Sequence, residues 1–301
     1  MGQEKVTLPP TEIVDPAGRE FDRLPVALQL ERLLASQAHA IEAVQKITDQ
    51  LAAAVEAATD RLRASEGRLV YAGAGCSIRI GVQDGVELVP TFGWPLNRLT
   101  YLIAGGAKAL AESVEDAEDD VDDAVVQVEQ RRLTASDVII GITASGNTPF
   151  TCQVLAAAKE QGALTVGVSS NPAGRLVAIA EHGLVTETGA EVLAGSTRLG
   201  AGTAQKALLN AFSTALMIQL GRVLGNEMLC VQATNAKLKD RQARILAGQI
   251  EGFDESRAYQ LLRELNWDLR AGLLVASGWD RQDAQEVLTD ERPFRELLRS
   301  G

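Results

Sequence analysis

Two carboxylates three residues apart, Asp84 and Glu87, lie in the stretch DGVELVPTFG, just behind a glycine-rich turn. A carboxyl group there is either a solvated helix charge or a general acid beside a ligand. The neighbours of Glu87 are apolar, and partial desolvation raises a carboxyl's proton affinity, which suits acid work near neutral pH. Those neighbours therefore predict a partly desolvated Glu87. Two other stretches offer a different chemistry. GAGCS, residues 73–77, and TASGNT, residues 143–148, join small residues to hydroxyls where strands run into helices. Glycine lets the backbone approach a ligand, and the free amides and dipole of a helix start attract an anion. Ser77, Ser145 and Thr148 add hydroxyl donors. Together these describe a phosphate cradle that requires no Lys or Arg; the alternative is a pair of tight, capped turns. Neither is a nucleotide motif, because Ile78 stands at the third-glycine position of GAGCSIRIG and no GKS or GKT occurs.

Such turns need a scaffold. RLVYAGAG, LTYLIAGG, DVIIGITASG, ALTVGVSSN and the weaker HGLVTET read as strands, with helices expected at about 77–88, 121–131, 149–161 and 173–180. Short apolar strands alternating with helices predict an α/β fold, a parallel sheet flanked by helices in three layers. Ligands in such sheets bind beyond the carboxyl ends of the strands. Before the sheet, residues 26–63 read as one long helix. After it, GTAQKALLNAFSTALMIQLGRVLG reads as a helix ending at Gly225, and a three-helix module follows.

The remaining signals mostly exclude. The 301 residues are 46% hydrophobic, enough for one large or two ordinary domains. With 29 basic and 40 acidic residues the net charge is −11, so nucleic acid is not an expected partner. No apolar run is long enough to span a bilayer and no leader pattern is visible, so a cytoplasmic chain with no membrane partner is expected. Cys76, Cys152 and Cys230 are far apart, implying neither a disulfide framework nor a metal motif. His39 and His182 read as structural. The acidic run SVEDAEDDVDD, residues 113–123, reads as a solvated face or helix start, and pattern alone picks no catalytic residue from it.

The two turns resemble the phosphosugar loops of sugar isomerase (SIS) domains. LAGSTRLGAGTAQKALLNAFSTALM and VQATNAKLKDR resemble the signature of the N-acetylmuramic acid 6-phosphate etherases, as do TEIVDPAGREFDRL, PTFG, LIAGG, VEDAEDD, SNP and VTETGAEVLAGSTR. These matches run in order from about residue 11 to 241. The resemblance implies an arm and helix at 1–62, an SIS domain at 63–245 and a helical module at 246–301. It also implies a carbon–oxygen lyase, without cofactor or metal and homodimeric, that releases D-lactate from N-acetylmuramate 6-phosphate. On the matching motifs Glu87 becomes the proton donor and Glu118 the base at C2. Ser77, Arg79, Ser145, Gly146, Asn147, Thr148, Ser196 and Lys206 become substrate- and phosphate-binding residues. The chain departs from the family at Cys76, Ile78, Asn147 and Gly200, where Thr, Gly, Arg and Lys are usual, and Ile78 is expected to narrow the pocket. A phosphosugar-binding regulator without catalysis, and an aldose–ketose isomerase, are the other activities this scaffold allows.

Overall fold

A computed structural model describes residues 8–231, 233, 235–288 and 294–299. Gln232 and Thr234 of VQATNAKLKDR and the first seven residues lie outside them. The chain divides into two compact units, residues 1–85 with 97–212, and residues 86–96 with 213–301.

The first unit opens with α1 (Val26–Gln45) and α2 (Thr48–Arg63) rather than a single helix. The break has a local cause. The Thr48 hydroxyl donates to the Gln45 carbonyl at 2.7 Å, and Ile47 leaves helical geometry as the new N-cap. Then come β1 (Leu69–Gly73), α3 (Gly75–Phe92), β2 (Leu99–Ile103), α4 (Val121–Arg131), β3 (Val138–Ile142), α5 (Pro149–Glu160), β4 (Leu164–Ser169), α6 (Arg175–Ile179), β5 (His182–Val185) and α7 (Gly200–Gln219). All five strands expected from the sequence are present. They form one parallel sheet in the order β2-β1-β3-β4-β5. Gly73 is in register with both Ile103 and Ile142, so the turns after β1, β2 and β3 leave the same edge side by side.

Alternate residues face opposite layers. Val70, Ala72, Leu102 and Ile139 pack with Phe150, Val154 and Leu155 of α5 and with Ala124 and Val128 of α4. The other face carries α3, which comes in close through glycines. A methyl on Gly81 would lie 2.8 Å from the Ile142 side chain, and one on Gly85 would lie 2.6 Å from the Tyr101 hydroxyl. Ile78, one turn earlier, is fully buried against this face and does not narrow a pocket as expected.

At the opposite edge, Arg68 and Asp137 fasten β1 to the start of β3. Arg68 reaches Asp137 at 2.7 Å, and the backbone amides of Arg68 and Thr134 donate to the same carboxylate. Burial alone would push the Asp137 carboxyl up; the hydrogen bonds and charge of Arg68 more than offset this and hold it below its usual value. A depressed carboxyl stabilises the fold above its unfolded pKa, about 3.9, and loses that contribution as pH falls through the folded value. Asp137→Ala should therefore cost about 3 kcal/mol near neutrality, since it strands a partly buried guanidinium. Chemical denaturation from pH 7 to pH 2.5 checks this: the gap to wild type should be constant above about pH 5 and narrow below it.

The second unit includes the end of α7, a two-stranded antiparallel hairpin, β6 (Val223–Leu224) and β7 (Glu227–Met228), and the helices α8 (Ala236–Gln249), α9 (Glu255–Glu264), α10 (Leu269–Ala276), α11 (Arg281–Val287) and α12 (Phe294–Arg299). The hairpin replaces the last turn expected of α7, because Gly221 at φ +72° ends that helix. Asn235, Asp254, Asp268 and Asp280 each cap a helix with a side-chain oxygen. Leu246, Leu262, Leu273, Leu274 and Leu297 make the core of this unit. Among the described residues no helix is long and apolar enough to cross a membrane.

Candidate active site

Three turns at the carboxyl edge hold most of the residues singled out in the sequence. The first follows β1. A Cβ on Gly73 would lie 2.9 Å from the Ile142 carbonyl, and Gly75 has φ +52°, so glycine is required for α3 to start at once beside β3. Ser77 is half-buried in the first turn of α3. Arg79 turns its guanidinium onto backbone carbonyls: Nε and Nη2 donate to Ala109 at 3.0 and 2.8 Å, and Nη2 also donates to Glu112 at 2.8 Å. It thereby fixes the segment that leads to the acidic run. Burial pushes the Cys76 thiol up, with Arg79 and Arg198 pulling the other way, so the thiol stays protonated near neutrality.

The acidic run is divided by the backbone. Gly105 and Gly106 take φ +75° and +69° after β2, and Gly105 admits the side chains of Val114 and Ala117 at 3.1 Å from where a Cβ would stand. Asp120 caps α4, accepting from the Asp123 amide at 2.9 Å, and Asp123 accepts from Gln127 at 2.7 Å. Glu118, on a short 3-10 turn (Ala117–Asp119), takes another direction. It lines a cavity of about 260 Å³ together with Gly75, Arg79, Glu112, Glu115 and Asp116. Glu118 is thus brought to the β1 turn. Arg79 shares the cavity; Ser77, Ser145, Gly146, Asn147, Thr148, Ser196 and Lys206 do not line it.

The turn after β3 is a knot of hydroxyls. Thr143 Oγ1 is 2.7 Å from Thr148 Oγ1 and 3.3 Å from Ser145 Oγ, which also accepts from the Asn147 amide at 3.2 Å. Asn147 is exposed, and its Oδ1 accepts from the Arg175 amide at 3.0 Å. Asn171 donates to the Ser145 carbonyl at 2.9 Å, so the loop after β4 braces this turn. Thr148 is the N-cap of α5 and Pro149 its first residue. Gly146 has φ +74°, and a methyl on it would stand 2.6 Å from the Gly174 Cα. Gly146→Ala combines a left-handed penalty of about 1–2 kcal/mol with a backbone collision, and should lower the thermal midpoint by several degrees. An unchanged midpoint would show that the two loops can part freely.

The last stretch leads into α7. Ser196 is half-buried in a turn, its amide donating to the Leu193 carbonyl at 2.9 Å. Glu191, 2% exposed, accepts from the Gly200 and Ala201 amides at 2.8 and 2.9 Å. A carboxylate on the first amides of a helix satisfies donors and dipole together. This anchor was not read from the sequence; VTETGAEVLAG offers several acids and no spacing that selects one. Lys206, half-buried, donates to Asn210 Oδ1 at 2.8 Å.

Glu87 departs from expectation. Helical spacing places Asp84 and Leu88 on the buried side of α3, each 2% exposed, and leaves Val86 and Glu87 exposed. Leu88 packs inward and Val86 points to solvent, so the apolar neighbours do not desolvate it. The buried acid is Asp84, which accepts from Tyr71 Oη at 2.8 Å and Asn210 Nδ2 at 2.6 Å.

The sequence model of the glucokinase regulatory protein N-terminal SIS domain matches residues 49–159. A phosphoheptose isomerase from Francisella tularensis is similar in structure, with TM-score 0.48 and 16% identity over 64% of this chain and 98% of that one. An N-acetylmuramic acid 6-phosphate etherase from Rubrobacter xylanophilus is 46% identical over 78% of each chain. One from Deinococcus radiodurans is 42% identical over 92% of this chain and 91% of its own. With kinship of that depth along nearly the whole length, this chain belongs to the N-acetylmuramic acid 6-phosphate etherase family.

Proposed function

We propose that this protein cleaves the D-lactyl ether of N-acetylmuramate 6-phosphate, giving N-acetylglucosamine 6-phosphate and D-lactate. The observation that carries the reading is the 42% identity to an etherase over 92% of the chain. The sugar reacts as its open-chain aldehyde, which acidifies the proton at C2. Glu118 removes that proton. As the C3–O bond breaks, Glu87 gives a proton to the departing lactyl oxygen, which is otherwise a poor leaving group. The product of this step is an unsaturated aldehyde, and water adds at C3 to complete the exchange of lactate for hydroxide.

The phosphate belongs at the turn after β3. Ser145, Thr148 and the amides of Gly146 and Asn147 supply donors at the start of α5, with Ser77 and the first amides of α3 on the neighbouring strand. Arg79, Ser196 and Lys206 complete the binding set. We also propose a cytoplasmic homodimer. Val26, Leu30 and Leu34 repeat at helical spacing along α1 and are 68%, 53% and 67% exposed, an apolar stripe suited to a second copy.

The test is direct. Purified protein given N-acetylmuramate 6-phosphate should release D-lactate and N-acetylglucosamine 6-phosphate in equal amounts, with no ketose phosphate. Tight binding with no lactate would overturn the reading in favour of a phosphosugar-binding regulator.

A further inference from the structure

Helices α3 and α7 run side by side in the same direction within the first unit. A methyl on Gly202 would lie 3.5 Å from Ile80 Cδ1 and 3.9 Å from Cys76 Sγ, while two turns on Asn210 reaches Asp84. Residues 202, 206 and 210 share one face of α7, and 76, 80 and 84 share one face of α3. Lys206 therefore lies along the seam between the helices, whose upper end is the turn after β1.

Asp84 lies at the other end, 2% exposed. Tyr71 Oη donates to its Oδ2 and Asn210 Nδ2 to its Oδ1. A carboxylate only accepts hydrogen bonds, so it compels the Asn210 amide to present its NH2 group to Asp84. The amide oxygen then faces outward, where it accepts from Lys206 Nζ at 2.8 Å. Tyr71, Asp84, Asn210 and Lys206 form one polar chain whose donors converge on Asp84, Tyr71 from the sheet and Lys206 through Asn210 from the seam. We propose that Asp84 is a positioning residue that acts through Asn210 to hold Lys206 for the phosphosugar. This rests on the reading of Lys206 as a substrate-binding residue.

The experiment is a double-mutant cycle on Asn210→Ala and Lys206→Met, with Asp84→Asn alongside. It is read both by KM and kcat for D-lactate release and by calorimetric affinity for N-acetylglucosamine 6-phosphate. Asn210→Ala and Asp84→Asn should each raise KM and weaken product binding about tenfold, with kcat changed less than about threefold. In the Lys206→Met background Asn210→Ala should have no further effect on either quantity. If Asp84 merely ties α7 to α3, Asn210→Ala lowers the thermal midpoint and leaves KM and product affinity alone, which overturns the proposal. Equal effects of Asn210→Ala with and without Lys206 overturn it too. Asn210 is exposed, so its variant remains informative even if Asp84→Asn fails to fold. Absence of lactate release by the wild type would count against the etherase reading alone, since the product-binding arm needs no turnover.

Discussion

Glu87→Gln should lower kcat for D-lactate release by about a thousandfold while leaving the protein as stable as the wild type. A positioned general acid contributes roughly 10²–10⁴ in rate. Alkoxide departure from an ether lies at the demanding end of that range, because without a proton the developing charge has no acceptor. Glutamine keeps the size and hydrogen-bonding reach of the side chain and removes only the transferable proton. The substitution is also structurally mild. Glu87 is exposed on α3, between core-facing Asp84 and Leu88, and a surface change of this kind typically stays within about 0.5 kcal/mol. Steady-state lactate assays and a thermal melt measure both halves. Affinity for N-acetylglucosamine 6-phosphate should be retained, since the lost group acts on the departing oxygen. A variant that still turns over at the wild-type rate removes Glu87 from the mechanism.

The contrast between Glu87 and Asp84 marks where sequence reasoning stops. Apolar neighbours in DGVELVPTFG suggested a desolvated Glu87, but on a helix the neighbours in sequence point elsewhere; residues three and four apart share a face. The buried acid is Asp84, and the partners that make its burial tolerable, Tyr71 and Asn210, come from β1 and α7, 13 and 126 residues away. No local window contains that information. Glu191 anchors α7 from only nine positions away, yet no spacing distinguishes it from the other acid of VTETGAEVLAG. The strands were legible because a parallel sheet covered on both faces needs continuous apolar runs, and VIIGI and LTVGV supply them. The α1–α2 break was not, because it depends on one hydroxyl competing for one carbonyl inside a stretch of otherwise good helix formers. The glycine- and hydroxyl-rich turns lie between these cases. Their glycines and hydroxyls could be read in order, whereas the dependence of Gly146 on Gly174 appears only once the loops after β3 and β4 meet.

Glu118→Gln should also stop lactate release, and isotope exchange separates its role from that of Glu87. Abstraction at C2 precedes loss of lactate, so in D2O the wild type should place deuterium at C2 of its product. With Glu87→Gln the C2 proton can still be removed and returned, so unreacted substrate should slowly gain deuterium although little lactate leaves. With Glu118→Gln neither event should occur, and exchange should fall at least a hundredfold, as expected for loss of a general base. The placement of Glu118 supports this division. Asp120 and Asp123, its neighbours in the acidic run, are held by the cap of α4 and by Gln127, while Glu118 lines the cavity at the β1 turn beside Arg79. Glu115 and Asp116 line that cavity as well, which makes Glu115→Gln the necessary control. Exchange that survives in Glu118→Gln but is lost in Glu115→Gln would move the base three residues back along the run and leave the reaction itself intact.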